Sequence, residues 1–245
     1  MMWSIEKIKE KLMEVEQKGF IGIPENMYRR DDGIVGQILE REFGIVENNL
    51  RVGDLGKFEL KGMRWKKSKP NMLTLFHKTS ASGLTPIQIF DRFGYVKKSK
   101  RSDIMKKKLF TTIRGDKYNN LGFILKANGE DKIELYHREK DSMSNEYIAT
   151  WDLSEAKKKI GQMILVFADN KGTVNSREEQ FHFTKAYLLD NIMCLSDAIN
   201  AGAVVMDLCI DKPIDSLKAP HDRGPHIRIP IKKLEYLYGR REVLL

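Results

Sequence analysis

The 245-residue chain carries 43 lysines and arginines against 34 aspartates and glutamates, so its formal net charge is +9, and 41% of its residues are hydrophobic. That balance is typical of a folded soluble protein and excludes an intrinsically disordered chain, and no apolar run is long enough to span a bilayer. The positive charge favours an anionic partner, nucleic acid first, while only two cysteines, Cys194 and Cys209, argue against a disulfide framework and predict a reducing cytoplasm.

The N-terminal part of the chain shows two helical patterns. Apolar residues at helical spacing predict amphipathic helices over residues 3–18 and 34–43, the first of them capped by Ser4. Gly36 lies inside the second pattern, where glycine costs roughly 1 kcal/mol relative to alanine. A glycine there indicates close approach of another backbone or of a ligand. Glu40 is either a solvated charge on this helix or a group that reaches toward a metal site.

The segment 53–62 concentrates charge around a short strand pattern. Polar and apolar residues alternate over 57–61, which predicts a half-buried strand with Glu59 and Lys61 on one face. Asp54 precedes this strand across a glycine-flanked turn that can fold it back beside Glu59. Two carboxylates with a lysine can hold a divalent cation and stabilise charge on a phosphate. The alternative is an edge strand with solvated charges.

The remaining elements follow from apolar runs and β-propensity. Strands are expected over residues 72–78, 109–113, 123–127, 133–137, 147–151, 163–168, 180–187 and 204–210, and short helices over 87–96, 152–160 and 194–200. The strand at 72–78 is expected to pair with the strand at 57–61 through the basic loop between them. The nearly all-apolar strand at 163–168 is expected at the centre of a sheet.

Polar residues with two possible roles lie in the second half of the chain and at the end of the 72–78 strand. Residues 220–228 place two histidines, two arginines and an aspartate between prolines. A zinc site there has thin support without cysteine, and a solvated turn is a further alternative. A base-reading loop fits better, since arginine suits guanine and aspartate accepts from cytosine. His77 is either a buried structural histidine or a functional one, and Asp207 is an unusual charge inside an apolar strand.

A family resemblance connects these features. Asp54, Glu59 and Lys61 match the PD-(D/E)xK nuclease pattern, with Gly53 where the pattern has proline. Nearly from end to end, the chain resembles type II restriction endonucleases of the MvaI/BcnI group, which are MutH-like nucleases, and within that group the BcnI type. The segments that carry the resemblance are 33–40, 73–78, 119–122, 179–187, 206–211 and 220–226.

The resemblance implies an α/β (α+β) fold with a PD-(D/E)xK restriction-endonuclease-like core, a mixed central sheet flanked by helices and a second DNA-recognition lobe. Residues 1–245 would form a single nuclease chain folded as two lobes around a DNA cleft. The catalytic lobe would be centred on 30–80, and the recognition lobe would include about 205–235.

The resemblance also implies an activity. It is Mg²⁺-dependent cleavage of double-stranded DNA to 5′-phosphate and 3′-hydroxyl ends by a monomer that nicks the two strands in sequence. The expected target is a C/G-rich five-base-pair site such as CCSGG, and a companion DNA methyltransferase is expected in the same bacterial or archaeal cytoplasm. The alternatives are a MutH-like mismatch-repair nicking enzyme and a non-catalytic DNA-binding module, against which the intact catalytic set argues.

Roles for individual residues follow from the resemblance. Asp54 and Glu59 would bind Mg²⁺, Lys61 would orient the attacking water or stabilise the phosphate, and Glu40 would assist as an outer-shell or second-metal carboxylate. His77 and His221 would contact the central base pair. Candidates for the outer base pairs are Asp207, Asp222, Arg223, His226 and Arg228, and candidates for contacts with the DNA backbone are Lys66, Lys67, Lys69, Lys97 and Lys98.

Overall fold

The computed structural model describes residues 3–27, 31–45, 54–65, 71–99, 103–129, 132–140 and 144–245. Of the predicted DNA-backbone contacts, Lys66, Lys67 and Lys69 lie outside these ranges. Within them, no helix is both long and apolar enough to cross a membrane.

The described residues form an α+β fold, as predicted. The helices are α1 (Ile5–Gln17), α2 (Ile34–Glu42), α3 (Pro86–Phe93), α4 (Ser154–Lys159) and α5 (Leu195–Asn200), with short 3₁₀ segments at Glu25–Met27 and Ile231–Tyr236. The strands are β1 (Ile21–Gly22), β2 (Glu59–Arg64), β3 (Met72–His77), β4 (Ser82–Gly83), β5 (Tyr95–Lys98), β6 (Met105–Ile113), β7 (Phe123–Ala127), β8 (Lys132–His137), β9 (Glu146–Asp152), β10 (Met163–Lys171), β11 (Gln180–Ile192), β12 (Val205–Pro213), β13 (His221–Asp222), β14 (His226–Pro230) and β15 (Tyr238–Val243).

The chain divides into two compact units, each built from separate stretches of sequence. The first unit comprises Met1–Asn71, Lys158–Met193 and Tyr238–Leu245, and the second comprises Met72–Lys157 and Cys194–Leu237. The predicted metal ligands belong to the first unit, and all of the predicted base-contacting residues belong to the second. A DNA cleft formed by two lobes stays a prediction.

The first unit is a mixed sheet covered by α1 and α2. Its strand order is β1-β11-β10-β2, and β15 pairs with the far part of β11. β10 runs parallel to β2 and antiparallel to β11, and its residues 163–168 are buried. The predicted central position of this apolar strand is therefore confirmed, since a strand with covered faces has no need of polar residues.

One helix of the first unit is capped by a side chain, and the other packs closely on β2. Ser4 caps α1 by accepting a hydrogen bond from the backbone N–H of Lys7 at 3.3 Å, as predicted. Helix α2 lies directly on β2: a Cβ atom at Gly62 would come within 3.2 Å of the Cα atom of Gly36. The close backbone approach predicted at Gly36 is thus confirmed, and it places α2 against the strand that carries Glu59 and Lys61.

The second unit contains two sheets. One has the order β3-β14-β12-β6-β5, with β13 also paired to β12, and the other has the order β4-β9-β8-β7. The predicted pairing of β3 with the strand at 57–61 is wrong, because β3 pairs with β14 and β2 pairs with β10. Neighbours in sequence usually pair, but here β2 gains burial beside the apolar β10 instead.

Two further boundaries differ from the prediction. The helix expected over 87–96 ends at Phe93, because Gly94 is extended and β5 begins at Tyr95. Residues 220–228 are not a free loop, since β13 and β14 within them both pair with β12. Their polar side chains are consequently held in the register of a sheet.

A buried ion pair fixes the end of β2. The guanidinium of Arg64 donates to both carboxylate oxygens of Glu179 at 2.7 Å, and to Asp32 at 2.5 Å and Asn175 at 3.2 Å. Arg64 is 3% exposed and Glu179 is fully buried. Breaking such a pair leaves an uncompensated buried charge, which is strongly destabilising.

Replacing Glu179 with glutamine is therefore expected to lower the free energy of unfolding by about 3 kcal/mol. The matched control is Glu146→Gln, because Arg92 and Glu146 form a pair of the same two-bond geometry whose side chains are 48% and 47% exposed. Removing that exposed pair should cost far less, because solvent and salt screen its charges. Urea unfolding followed by circular dichroism measures both, and equal losses would contradict the assignment.

Candidate active site and the polar face of the second unit

A tight turn positions Asp54 at the start of β2. Leu55 and Phe58 form an isolated β-bridge, and Gly56 between them has a φ of +78°, a conformation that favours glycine. The turn lets Oδ2 of Asp54 accept a hydrogen bond from the backbone N–H of Leu60 at 3.0 Å. This bond fixes the carboxylate next to the strand residue that follows Glu59.

Glu59 is a buried carboxylate with one unsatisfied oxygen. Its side chain is 1% exposed, so the alternative of a solvated charge on an edge strand is excluded for this residue. Oε1 lies 2.5 Å from Nζ of Lys61 and 3.5 Å from Nζ of Lys159. Oε2 is buried and has no hydrogen-bond partner among the described residues. Leaving a buried carboxylate oxygen unpaired is costly, so the position calls for a ligand.

Mg²⁺ fits these groups. It is bound in proteins by one or two carboxylates, keeps several waters and takes phosphate oxygens as further ligands. Asp54 and Glu59 supply two carboxylates, and within the described ranges no group of three or more His, Cys, Asp or Glu side chains is arranged to hold a metal. Glu40 is therefore not brought together with Asp54 and Glu59 as a third direct ligand. An outer-shell or second-metal role for Glu40 stays a prediction.

Two residues near Glu59 were missed by sequence reasoning. Lys159 ends α4, and Tyr238 begins β15 and donates its hydroxyl to the backbone C=O of Ile160 at 2.9 Å. Burial, with a smaller effect from the negative charge of Glu59, raises the pKa of Tyr238 above its usual range. Both lie about 100 residues or more from Glu59 in the chain, and no local pattern marks them.

In the second unit, β12 carries acidic groups that hold basic ones. Asp207, 7% exposed, accepts from the hydroxyl of Thr112 at 2.5 Å and from the guanidinium of Arg228 at 2.7 Å. The predicted interior charge at Asp207 is thus confirmed and is paired. Asp211 accepts from Lys106 at 2.7 Å and from Arg223 at 2.9 Å.

The charge of Asp211 is secured by those two partners. Burial alone would raise the pKa of its carboxyl, but the hydrogen bonds from Lys106 and Arg223 outweigh burial and hold that pKa below its usual range. Asp211 therefore stays ionised and keeps both cations in place.

Strand register places most of the predicted base-contacting residues on one face of the six-stranded sheet, called the polar face below. Residues paired across neighbouring strands point to the same side. The pairs are Asp207 with Thr112, Asp207 with His226, His226 with His77, and Asp211 with His221. The polar face consists of His77, Thr112, Asp207, Asp211, His221, Arg223, His226 and Arg228.

Asp222 is the exception among these predictions. It pairs with Ile210, so by register it lies on the opposite face from Asp211, and its Oδ1 accepts from the backbone N–H of Gly224 at 2.8 Å. The structure thus gives Asp222 a turn-forming contact. A base contact by Asp222 stays a prediction.

The histidines of the polar face differ in environment. His77 is exposed, which excludes the alternative of a buried structural histidine. The centroids of the His77 and His226 rings are 4.2 Å apart. His221 is 70% exposed and its Nδ1 is 3.9 Å from Asp211. Nδ1 of His226 and Nε of Arg228 are buried without a hydrogen-bond partner among the described residues. Two buried nitrogens of the polar face without partners in the described part of the chain indicate that a polar ligand supplies their missing hydrogen bonds.

The Asn119–Gly122 motif has a structural explanation. Nδ2 of Asn119 donates to Thr111 and to the backbone of Thr112, while Oδ1 accepts from the backbone N–H groups of Leu121 and Phe123. The side chain of Asn119 therefore stabilises the turn between β6 and β7 through both its amide nitrogen and its amide oxygen. A concavity of about 540 Å³ lined by this turn adjoins the polar face at Phe110 and Thr112.

The structure also places three other features that the sequence singled out. No three-ligand cluster exists in the described part of the chain, so a zinc site at 220–228 is not supported. Lys97 and Lys98 lie exposed on the edge strand β5, where Lys98 pairs with Asp103 at 2.8 Å. Cys194 and Cys209 are free thiols.

The mixed α+β fold, with two carboxylates and a lysine at the start of a strand, fits a nuclease with the restriction-endonuclease-like fold. The chain belongs to the MvaI/BcnI restriction endonuclease family, whose model matches residues 9–238. It is therefore a type II site-specific deoxyribonuclease.

Solved structures support the fold. The complex of restriction endonuclease MvaI with its cognate DNA substrate aligns with a TM-score of 0.78 at 20% identity, over 100% of this chain and 100% of that chain. MvaI in the absence of DNA aligns with a TM-score of 0.54 at 18% identity, over 100% of this chain and 99% of that chain. No curated protein sequence matches the chain. The predicted family and fold are both confirmed.

The environment of His226 generates a pH prediction. Burial, and then the positive charge of Arg228, lower the pKa of His226. The folded state therefore resists protonation, and stability present above the unfolded-state pKa of about 6.5 is lost as the pH falls. His226→Gln is expected to flatten the loss of unfolding free energy between about pH 7 and pH 5.

Urea unfolding at several pH values measures this dependence. The matched variant is His221→Gln, which removes an exposed histidine from the same face. If both substitutions change the pH slope equally, burial of His226 is not the cause.

Proposed function

We propose that this endonuclease hydrolyses phosphodiester bonds of double-stranded DNA with Mg²⁺ at a C/G-rich five-base-pair site such as CCSGG. The products would be 5′-phosphate and 3′-hydroxyl ends. The observation that carries the metal-dependent chemistry is the buried, unpartnered Oε2 of Glu59, next to the strand start where Asp54 is fixed. A buried carboxylate oxygen without a hydrogen-bond partner is suited to bind a cation.

The residues of the first unit have separable roles in this proposal. Bound Mg²⁺ supplies charge stabilisation and lowers the pKa of an attacking water. Asp54 and Glu59 hold it, and the hydrogen bond from Leu60 keeps Asp54 oriented without help from the ligand. Lys61 orients the water or neutralises the phosphate as a point charge. The water would give up a proton as it attacks phosphorus, the bond between phosphorus and O3′ would break, and O3′ would take up a proton from solvent. The products would be a 5′-phosphate and a 3′-hydroxyl.

Base reading is assigned to the second unit. His77 and His221 would meet the central base pair, and because a histidine can donate or accept, the pair would tolerate C·G and G·C alike. Arg223 and Arg228 would contact guanines in the outer pairs, since an arginine fork matches O6 and N7. Each arginine is held by a buried aspartate, so its side chain loses less conformational entropy when it binds DNA.

Further parts of the proposal concern contacts outside the recognised bases. Lys97 and Lys98, exposed on β5, would contact phosphates and make binding depend on salt. We propose a monomer that cuts the two strands in succession, in the cytoplasm of a bacterium or archaeon that also contains a companion DNA methyltransferase.

Cleavage is tested with a plasmid that carries CCSGG sites. In the presence of Mg²⁺ the protein should convert it to discrete fragments through a nicked intermediate, and Asp54→Ala should slow cleavage by about 1,000-fold because a metal ligand is lost. Gel electrophoresis with mapping of the ends measures both. Nicks alone would favour a MutH-like repair enzyme, binding without cleavage would favour a DNA-binding module, and an active Asp54→Ala variant would exclude this metal site.

Specificity is tested by fluorescence anisotropy without metal, on duplexes that do and do not contain the site. Arg228→Met should weaken binding to the site by about 1–3 kcal/mol and leave non-specific binding nearly unchanged. Lys97→Met, which removes an exposed cation, should weaken both equally and reduce the salt dependence by about one phosphate contact. If Arg228→Met also weakens both equally, the polar face does not read bases.

A further inference from the structure

The catalytic carboxylate has a second cationic neighbour. Oε1 of Glu59 lies 2.5 Å from the ammonium of Lys61 and 3.5 Å from that of Lys159. Lys61 lies two residues further along the same strand, whereas Lys159 comes from the last position of α4. One oxygen of Glu59 thus has two ammonium groups near it, while its other oxygen has no partner among the described residues.

The position of Lys159 is fixed by buried neighbours. Ile160, the next residue, is fully buried, and its backbone C=O accepts the hydroxyl of Tyr238 at 2.9 Å. The Lys159 side chain itself is 35% exposed, whereas that of Glu59 is 1% exposed. The ammonium therefore has the buried carboxylate on one side and access to the outside on the other.

The charges at the site indicate what this cation is for. Asp54 and Glu59 contribute two negative charges, and Lys61 and Lys159 contribute two positive ones. A phosphodiester carries one negative charge and gains a second when the attacking water adds to it and loses a proton, so a single divalent cation would balance the phosphate and leave the protein groups balanced among themselves. With Lys61 alone the same site would carry an excess negative charge as the reaction proceeds, in a buried setting where charge is poorly screened.

We propose that Lys159 is a second catalytic lysine, which contacts the scissile phosphate together with Lys61. The inference rests on the proposed function, because it requires a scissile phosphate at Glu59. The flexible four-carbon stem of a lysine allows its ammonium to shift from Oε1 of Glu59 to a phosphate oxygen a few ångströms away. The competing explanation is that Lys159 only forms a structural ion pair with Glu59.

Two measurements distinguish a phosphate contact from a structural ion pair. The first is the single-turnover cleavage rate at saturating Mg²⁺. The second is the slope of log affinity against log salt for the site-containing duplex without metal, since each phosphate contact contributes about 0.9 to that slope. The variants are Lys159→Met, Lys159→Arg and, as a matched control, Lys158→Met, which removes an exposed lysine from the same helix.

Lys159→Met is expected to cut about 100-fold more slowly, as when one preorganised transition-state contact is removed. Its salt slope should fall by about 0.9, while Lys159→Arg should recover the slope and part of the rate. Lys158→Met should match the wild type in both. If Lys159→Met fails to fold by circular dichroism, Lys159→Gln, which keeps most of the stem and a hydrogen-bond donor, is held to the same expectations.

A salt slope that does not change in the uncharged variant, or a rate within about tenfold of the wild type, would overturn the proposal and leave a structural ion pair. These outcomes count only if the wild type cleaves DNA with Mg²⁺. A wild type that cleaves nothing would instead contradict the proposed function itself.

Discussion

The parallel pairing of β2 with β10 is the constraint on which the candidate active site depends. It sets Glu59 against an apolar central strand, where the carboxylate is buried and Oε2 is left without a partner. Burying a carboxylate is costly unless cations or a metal compensate. Three further features surround this strand: two lysines lie beside Glu59, a turn returns Asp54 to Leu60, and α2 contacts Gly62.

Buried carboxylates form ion pairs in both units, but the arginines that they bind differ in exposure. In the first unit Glu179 neutralises Arg64 completely and fixes the end of β2. In the second unit Asp207 and Asp211 hold Arg228 and Arg223, yet leave those arginines part-exposed on the polar face. An arginine that is fixed by an aspartate but still accessible is preorganised for a partner. Binding then costs little free energy for ordering the side chain.

Sequence patterns predicted those features that depend on neighbours along the chain. The start of α1 at Ser4, the central strand at 163–168 and the glycine contact at Gly36 were all predicted correctly, because capping, strand burial and helix packing leave local marks. The pairing of β3 was predicted wrongly, because pairing is a competition between distant strands that no local pattern records. The predicted loop at 220–228 is sheet for the same reason.

By itself, the sequence predicted the candidate catalytic set of Asp54, Glu59 and Lys61, since a turn and one strand suffice to bring those residues together. It also determined the family, through blocks spread over the chain. Only the tertiary structure decided that Lys159 stands beside Glu59, that His226 lies beside His77 and that Asp222 turns away from the polar face. These placements depend on strand register and on contacts between segments far apart in sequence, where a shift of one residue moves a side chain to the opposite face.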